Sequence, residues 1–240
     1  MTQKRFSQNF LKNKGFLKLI AQNLDINKDD TIIEIGGGHG ELTQYLSSGH
    51  KIIVYEIDKR LAFRLKNKFK ENKNIIIKNQ DFLKAKLSLF NNNYKLVGNI
   101  PYGITGLIFR KILTLKNKPK ILVFTIQKEK AQTMLQPHSL WNNWIKIWGD
   151  IQRIAIIDKK NFQPQPKVDS AIIKINFYNQ PLVDKPELFI KFLKKIYQRP
   201  NKKIKNNYQL PPDLMIYNNL RARQLTFNDL IFIYKSLNKK

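Results

Sequence analysis

The chain has 240 residues, with 44 Lys and Arg against 17 Asp and Glu, a formal net charge of +27 and a pI near 10.1. Hydrophobic residues make up 42% and aromatic residues 11%, which excludes whole-chain disorder and suits one substantial domain with a smaller appendage. The absence of cysteine excludes disulfide scaffolds, thiol nucleophiles and Cys-ligated zinc or iron–sulfur sites. The three histidines (His39, His50, His138) leave little for a histidine-based centre, so no metal is expected. The positive charge points to phosphate backbones, with an anionic membrane surface as the competing partner class. A Lys-, Asn- and Ile-rich composition of the kind AT-rich coding produces contributes to it. No apolar run approaches the ~20 residues needed to cross a bilayer, and residues 1–16 lack an apolar leader core, so a cytoplasmic location is expected.

Short β-branched runs predict strands at 31–35, 51–56, 74–78, 95–98, 121–126, 151–157 and 170–177. Helical patterns at 16–23, 41–47, 59–70, 105–115 and 128–135 fall between them. This alternation predicts a parallel α/β sheet covered by helices. A single loop joins the last two strands, which reads as an antiparallel pair at one edge. After Phe177 the texture changes. A polar linker leads to Pro186, which opens a helix with Phe189, Phe192, Leu193 and Ile196 on one face. Thr226 caps another, with Leu230, Ile233, Tyr234 and Leu237 at the same spacing. The expected organisation is a sheet domain over 1–178 and a helical appendage over 179–240.

The strongest local signal is the run from Thr31 to Gly40, TIIEIGGGHG, where a buried strand enters a glycine turn. Glycines there permit positive φ and close approach of backbone N–H groups to a ligand. Glu56, twenty residues beyond Gly36 at the end of the next strand, is placed to accept both hydroxyl protons of a ribose. Asp81, at the end of the third strand pattern, suits the exocyclic amine of adenine. Glu41 stands where a dinucleotide fingerprint wants its third glycine. A carboxylate near a helix N-terminus disfavours a pyrophosphate. Glu34 and Glu41 beside the turn instead favour a cationic ligand, and S-adenosylmethionine fits better than NAD. His39 reads as a turn residue tolerating unusual φ rather than as a general base.

The segment Asn99-Ile-Pro-Tyr102 follows the fourth strand, at the carboxyl end of the sheet where open α/β folds bind ligands. Adenine N6 is a poor nucleophile because its lone pair is delocalised into the ring. An amide oxygen at Asn99 and a backbone carbonyl can accept its two hydrogens and turn the lone pair toward an electrophile. Tyr102 can stack on an extruded base. Taken alone, the tetrapeptide reads better as an Asn-X-Pro turn with a core tyrosine.

Together with Gln8-Asn-Phe-Leu11, Glu56-Ile-Asp58, Gln80-Asp81, Gln127-Lys-Glu129 and the 162–170 segment FQPQPKVDS, these motifs resemble the ribosomal RNA adenine N6-dimethyltransferases, in the same order along the chain. Arg221 and Leu225 resemble that family's C-terminal signature. The resemblance implies a Rossmann-like class I methyltransferase sheet of seven strands with the last antiparallel, plus a small all-helical C-terminal domain. It implies S-adenosylmethionine contacts at Asn9, Leu11, Gly36, Glu56, Asp81 and Asn99. Asn99, Pro101 and Tyr102 match its target-adenine loop, and Phe162 the aromatic on the base's other face.

The implied reaction is direct in-line methyl transfer, usually twice on one nitrogen. The implied substrate is a pair of adjacent adenosines near the 3′ end of small-subunit (16S) rRNA in an immature subunit, modified by a monomer. Large-subunit (23S) rRNA methylation conferring macrolide resistance is the alternative. A non-catalytic RNA-binding assembly factor is the rival of another class. The chain departs from the family pattern after Tyr102, where Gly103-Ile-Thr-Gly106 replaces Asn-Ile-Ser-Thr, which bears on loop rigidity and second methylation. Trp141, Trp144 and Trp148 read as packing residues, and Lys202, Lys203 and Lys205 as phosphate contacts or a solvated run.

Overall fold

The computed structural model describes residues 8–46, 51–87, 90 and 93–238. Seven strands form the main sheet: β2 (Thr31–Ile35), β3 (Lys51–Glu56), β4 (Ile75–Asn79), β5 (Tyr94–Asn99), β6 (Ile121–Gln127), β7 (Gly149–Ile157) and β9 (Ser170–Phe177). Their order is β4-β3-β2-β5-β6-β9-β7, parallel from β4 through β6, with β9 antiparallel to β6. The chain winds outward from β2 in one direction and from β5 in the other. The crevice between their carboxyl ends is therefore the topological switch point, where such sheets bind ligands.

Continuous apolar runs make these central strands. Ile32, Ile33, Val97 and Val123 are buried because helices cover both faces of a parallel sheet. Helix α1 (Lys14–Gln22) starts where the Asn13 side chain accepts from the N–H groups of Gly15 and Phe16. Helix α3 (Lys59–Lys68) starts at Asp58, whose carboxylate accepts from Arg60 and Leu61, and Lys66 and Lys68 in its last turn suit the negative end of its dipole. Helix α4 (Thr105–Thr114) follows β5, and α5 (Lys128–Leu135) follows β6.

Two local differences from the sequence reading have clear causes. The helix expected from residue 41 begins at α2 (Thr43–Leu46), because Gly40 at φ +80 holds the chain out of helical geometry until it has passed. Ser47 and His50 lie outside the described residues. A second sheet was not anticipated at all: β1 (Phe10–Leu11) pairs antiparallel with β8 (Phe162–Gln163). Strands of two residues carry no readable period.

The chain folds as two compact units, one of Met1–Ala131 and Gln152–Phe177, the other of Gln132–Ile151 and Tyr178–Lys240. The expected single break near residue 178 left 132–151 with the sheet, whereas the structure gathers it with the C-terminal segment. The reason is a buried hub at Tyr197, whose hydroxyl accepts from Asn143 Nδ2 (2.8 Å) and lies 2.7 Å from the His138 carbonyl. The His138 ring binds the Leu225 carbonyl at 2.8 Å.

In this unit α6 (Leu140–Lys146) is capped by Ser139, and α7 (Pro186–Ile196) buries Phe189, Phe192, Leu193 and Ile196. Helix α8 (Phe227–Leu237) starts in a reciprocal Thr226–Asp229 capping box. Trp144 is buried, stacks on Trp141 and lies under the Lys194 ammonium, as packing residues do. No helix among the described residues is long and apolar enough to cross a membrane.

Candidate active site

A cavity of about 330 Å3 opens at the switch point, within the size range of small-molecule sites. Of the site residues expected from sequence, Asn9, Gly36, Glu56, Asp81, Asn99, Pro101 and Tyr102 line it. They come from segments up to 93 positions apart, running from Asn9 to Tyr102.

The acids are placed by their strand ends. Glu56 closes β3 and is 2% exposed. Its carboxylate accepts from the N–H groups of Gly38 (2.9 Å) and Asp58 (2.8 Å). Burial raises its pKa, and these two backbone donors offset that only in part. Asp81 caps the 3-10 turn Phe82–Lys84 by accepting from Leu83 N–H at 2.9 Å. That turn is tied down by Lys111, whose ammonium donates to the carbonyls of Leu83 (3.0 Å) and Ala85 (2.7 Å). Lys111 carried no motif, and only its position on α4 beside this turn reveals the role.

Gly36 (φ +75) and Gly38 (φ +56) make the turn after β2, and a Cβ at Gly38 would sit 2.8 Å from the Phe10 ring. The unusual φ expected of His39 is carried by the glycines; His39 packs on Phe10, ring centroids 4.5 Å apart. The N-terminal segment thus lies across the turn, and Lys12 pairs with Glu41 at 2.5 Å.

Glu34 corrects a sequence expectation. Its side chain does not line the cavity but lies in the interior, 1% exposed, accepting from the Thr43 hydroxyl at 2.7 Å. Burial raises its pKa to about 8, the Thr43 hydrogen bond offsets this in part, and the carboxylates of Glu56 and Glu41 push it further up. At neutral pH it is largely protonated and supplies no counter-charge.

The loop after β5 is held on several sides. Asn99 donates from Nδ2 to the Asn9 carbonyl at 2.6 Å, which fixes the amide and leaves Oδ1 as its acceptor. Ile100 N–H bonds the Thr125 carbonyl at 2.9 Å. Residues Tyr102–Ile104 form a 3-10 turn, and the Tyr102 hydroxyl lies 2.8 Å from Ser170 Oγ. Gly98 is required here, since a Cβ would come within 2.5 Å of the Ile35 carbonyl oxygen.

Leu11 and Phe162 do not line the cavity. They face each other on the β1–β8 ladder and are 3% and 4% exposed within the core. The role implied for Phe162, covering the second face of a base, requires a ring placement other than this one.

The residues present fit S-adenosylmethionine. Ile57, Phe82 and Leu83 give apolar walls for a purine, Asp81 an acceptor for its amine, and Glu56 a buried carboxylate for a diol. Among the described residues no group of three or more His, Asp or Glu is arranged to hold a metal ion.

A doubly wound sheet ending in a reversed strand, with an acid following the glycine turn at the next strand's end, defines a Rossmann-like class I methyltransferase. Residues 1–237 match the ribosomal RNA adenine dimethylase family, and the chain belongs to it. It is 31% identical over 243 residues to the ribosomal RNA small subunit methyltransferase A of Thermotoga petrophila, covering 97% of this chain and 90% of that protein. The protein of the same name from Mesomycoplasma hyopneumoniae (strain 232) is 35% identical over 213 residues, with 85% and 80% covered. Among solved structures, a dimethyladenosine transferase from Plasmodium falciparum superposes with a TM-score of 0.85 at 24% identity, over 96% of this chain and 98% of that one. The 23S rRNA methyltransferase ErmE superposes at 0.80 and 24%, over 95% and 100%. At that identity these two establish the fold.

Proposed function

We propose that the protein dimethylates N6 of two adjacent adenosines near the 3′ end of small-subunit rRNA, acting as a cytoplasmic monomer on an immature subunit. The chain is an S-adenosylmethionine-dependent rRNA adenine dimethyltransferase. The small-subunit assignment is supported by relatives at 30% identity or more that carry that name, and by the Gln127-Lys-Glu129 and Lys167–Ser170 segments.

The observation that carries the reading is the single cavity in which the Glu56 and Asp81 carboxylates meet the Asn99–Tyr102 loop. Glu56 would accept from the ribose hydroxyls and Asp81 from the adenine amine of S-adenosylmethionine, with Asn9 and Gly36 along its remaining length. S-adenosylmethionine supplies an electrophilic methyl group. Asn99 Oδ1 accepts one N6 hydrogen of the target and localises the nitrogen lone pair. Tyr102 provides the stacking face. The sheet unit carries this chemistry. The basic residues Lys202, Lys203 and Lys205 of the C-terminal unit suit phosphate contact.

The test is labelled S-adenosylmethionine incubated with immature small and large subunits, with N6-dimethyladenosine mapped afterwards. Label in two neighbouring small-subunit adenosines is the expected result, lost on Asn99→Ala. Label in the large subunit would transfer the assignment to that alternative, and none in either would favour an assembly factor.

A further inference from the structure

We propose that Ser170 is a positioning residue for Tyr102, setting the plane that the phenol ring presents to the target adenine. The proposal deepens the reading of Tyr102 given above and rests on it.

Tyr102 stands on a short turn at the end of β5 with its ring half-buried, so its own segment does little to stop the ring swinging. A stacking face is useful only if its tilt is fixed, because small misplacements near a reacting atom cost about a hundredfold in rate. The restraint comes from a strand two positions along the sheet. Ser170 is the first residue of β9, fully buried, with its Oγ 2.8 Å from the Tyr102 hydroxyl.

Strand register explains why the two meet. Asn99 pairs with Thr125 and Thr125 with Ile172, so these three side chains share one sheet face. The two-residue period along β9 brings Ser170 to that face as well. Ser170 is itself held by its neighbour Asp169. The Asp169 carbonyl accepts from Lys128 N–H (3.0 Å), and its carboxylate accepts from Lys159 N–H (3.2 Å) and pairs with the Lys128 ammonium (3.5 Å). The two groups that meet the adenine are thus anchored from opposite directions, Asn99 by the Asn9 carbonyl and Tyr102 by Ser170.

The experiment is single-turnover methyl transfer to the small-subunit substrate by the full chain carrying Ser170→Ala, Tyr102→Phe, or both. Each single change removes the same hydrogen bond and is expected to slow transfer about tenfold. The double variant is expected to be no slower than either single, with S-adenosylmethionine affinity unchanged and the thermal midpoint lowered by a few degrees at most. Singles at the wild-type rate, or losses that multiply in the double variant, overturn the proposal. If Ser170→Ala does not fold, Tyr102→Phe removes the bond from the half-exposed partner and decides alone. Tyr102→Ala separates the two levels of the argument. If it transfers at the wild-type rate, the adenine role of Tyr102 itself fails. If it falls a hundredfold while the other variants keep the wild-type rate, that role stands and the positioning role falls.

Discussion

Asp30 and Glu56 lie at opposite ends of the same sheet, each 2% exposed, and their carboxyls shift in opposite directions. Burial pushes both up. At Asp30, on the amino side, the Lys95 ammonium 2.7 Å away outweighs it with help from Asn27 N–H and Lys120, and the pKa falls below the ordinary value. At Glu56, on the carboxyl side, backbone N–H groups of Asp58, Gly38 and Ile57 offset it only in part and the pKa stays raised. Equal exposure therefore does not mean equal purpose, and Glu56 lies the deeper of the two. One end holds a carboxylate against the protein's own cation and stabilises the fold; the other keeps acceptor capacity for a ligand.

The sharpest way to break this contrast is Lys95→Ala, which leaves the Asp30 charge buried without its partner. We expect a loss of about 3–5 kcal/mol in urea unfolding, with S-adenosylmethionine affinity of the folded protein unchanged. A loss under 1 kcal/mol would mean that the amino end is not held by this pair.

Next in size is the pH dependence carried by Glu34. Its folded-state pKa of about 8 lies above the ordinary 4.5, so the folded state binds the proton more tightly than the unfolded one. The stability this supplies is complete below about pH 4.5 and drains away as pH rises toward 8, a difference of a few kcal/mol. Asp30 has the opposite sign, its contribution being lost only as pH falls below about 3.8. The wild-type thermal midpoint should therefore decline from pH 5 to pH 8, and Glu34→Gln should flatten that decline. A slope that survives the substitution would assign it elsewhere.

A third change acts on the ligand side. Glu56→Gln sets an amide NH2 against one of two backbone N–H donors and removes a charged acceptor. S-adenosylmethionine affinity by calorimetry should fall about 10- to 100-fold, and an unchanged Kd would remove Glu56 from the cofactor site. The smallest effect belongs to Gly103, where an added Cβ meets nothing within 4 Å and φ is not positive. Gly103→Ala should raise unfolding stability by about 0.4–1 kcal/mol through the unfolded chain, read from the denaturation midpoint. A decrease would show that the departure after Tyr102 is a structural need.

Much of the molecule was legible in the sequence. The runs at 31–35, 51–56 and 170–177 coincide with strands because continuous β-branched stretches bounded by turn residues read as buried strands. That Glu56, Asp81 and Asn99 gather at one edge was legible, because Glu56 and Asn99 end strands and Asp81 follows one by two residues. Glu34 was misread because sequence places it beside the glycine turn, whereas the pleat turns its side chain into the interior. Leu11 and Phe162 matched a motif, yet their burial follows from a ladder too short to announce itself.

By itself the sequence determined the strand–helix alternation, the acidic glycine turn, the family and the cofactor class, since all of these are written in residue types at short spacings. Only the tertiary structure decided that Asp30 meets a lysine, that 132–151 joins the C-terminal unit, and that Ser170 reaches Tyr102 across 68 residues. Such pairings depend on strand order and register, which bring together groups that no local pattern relates.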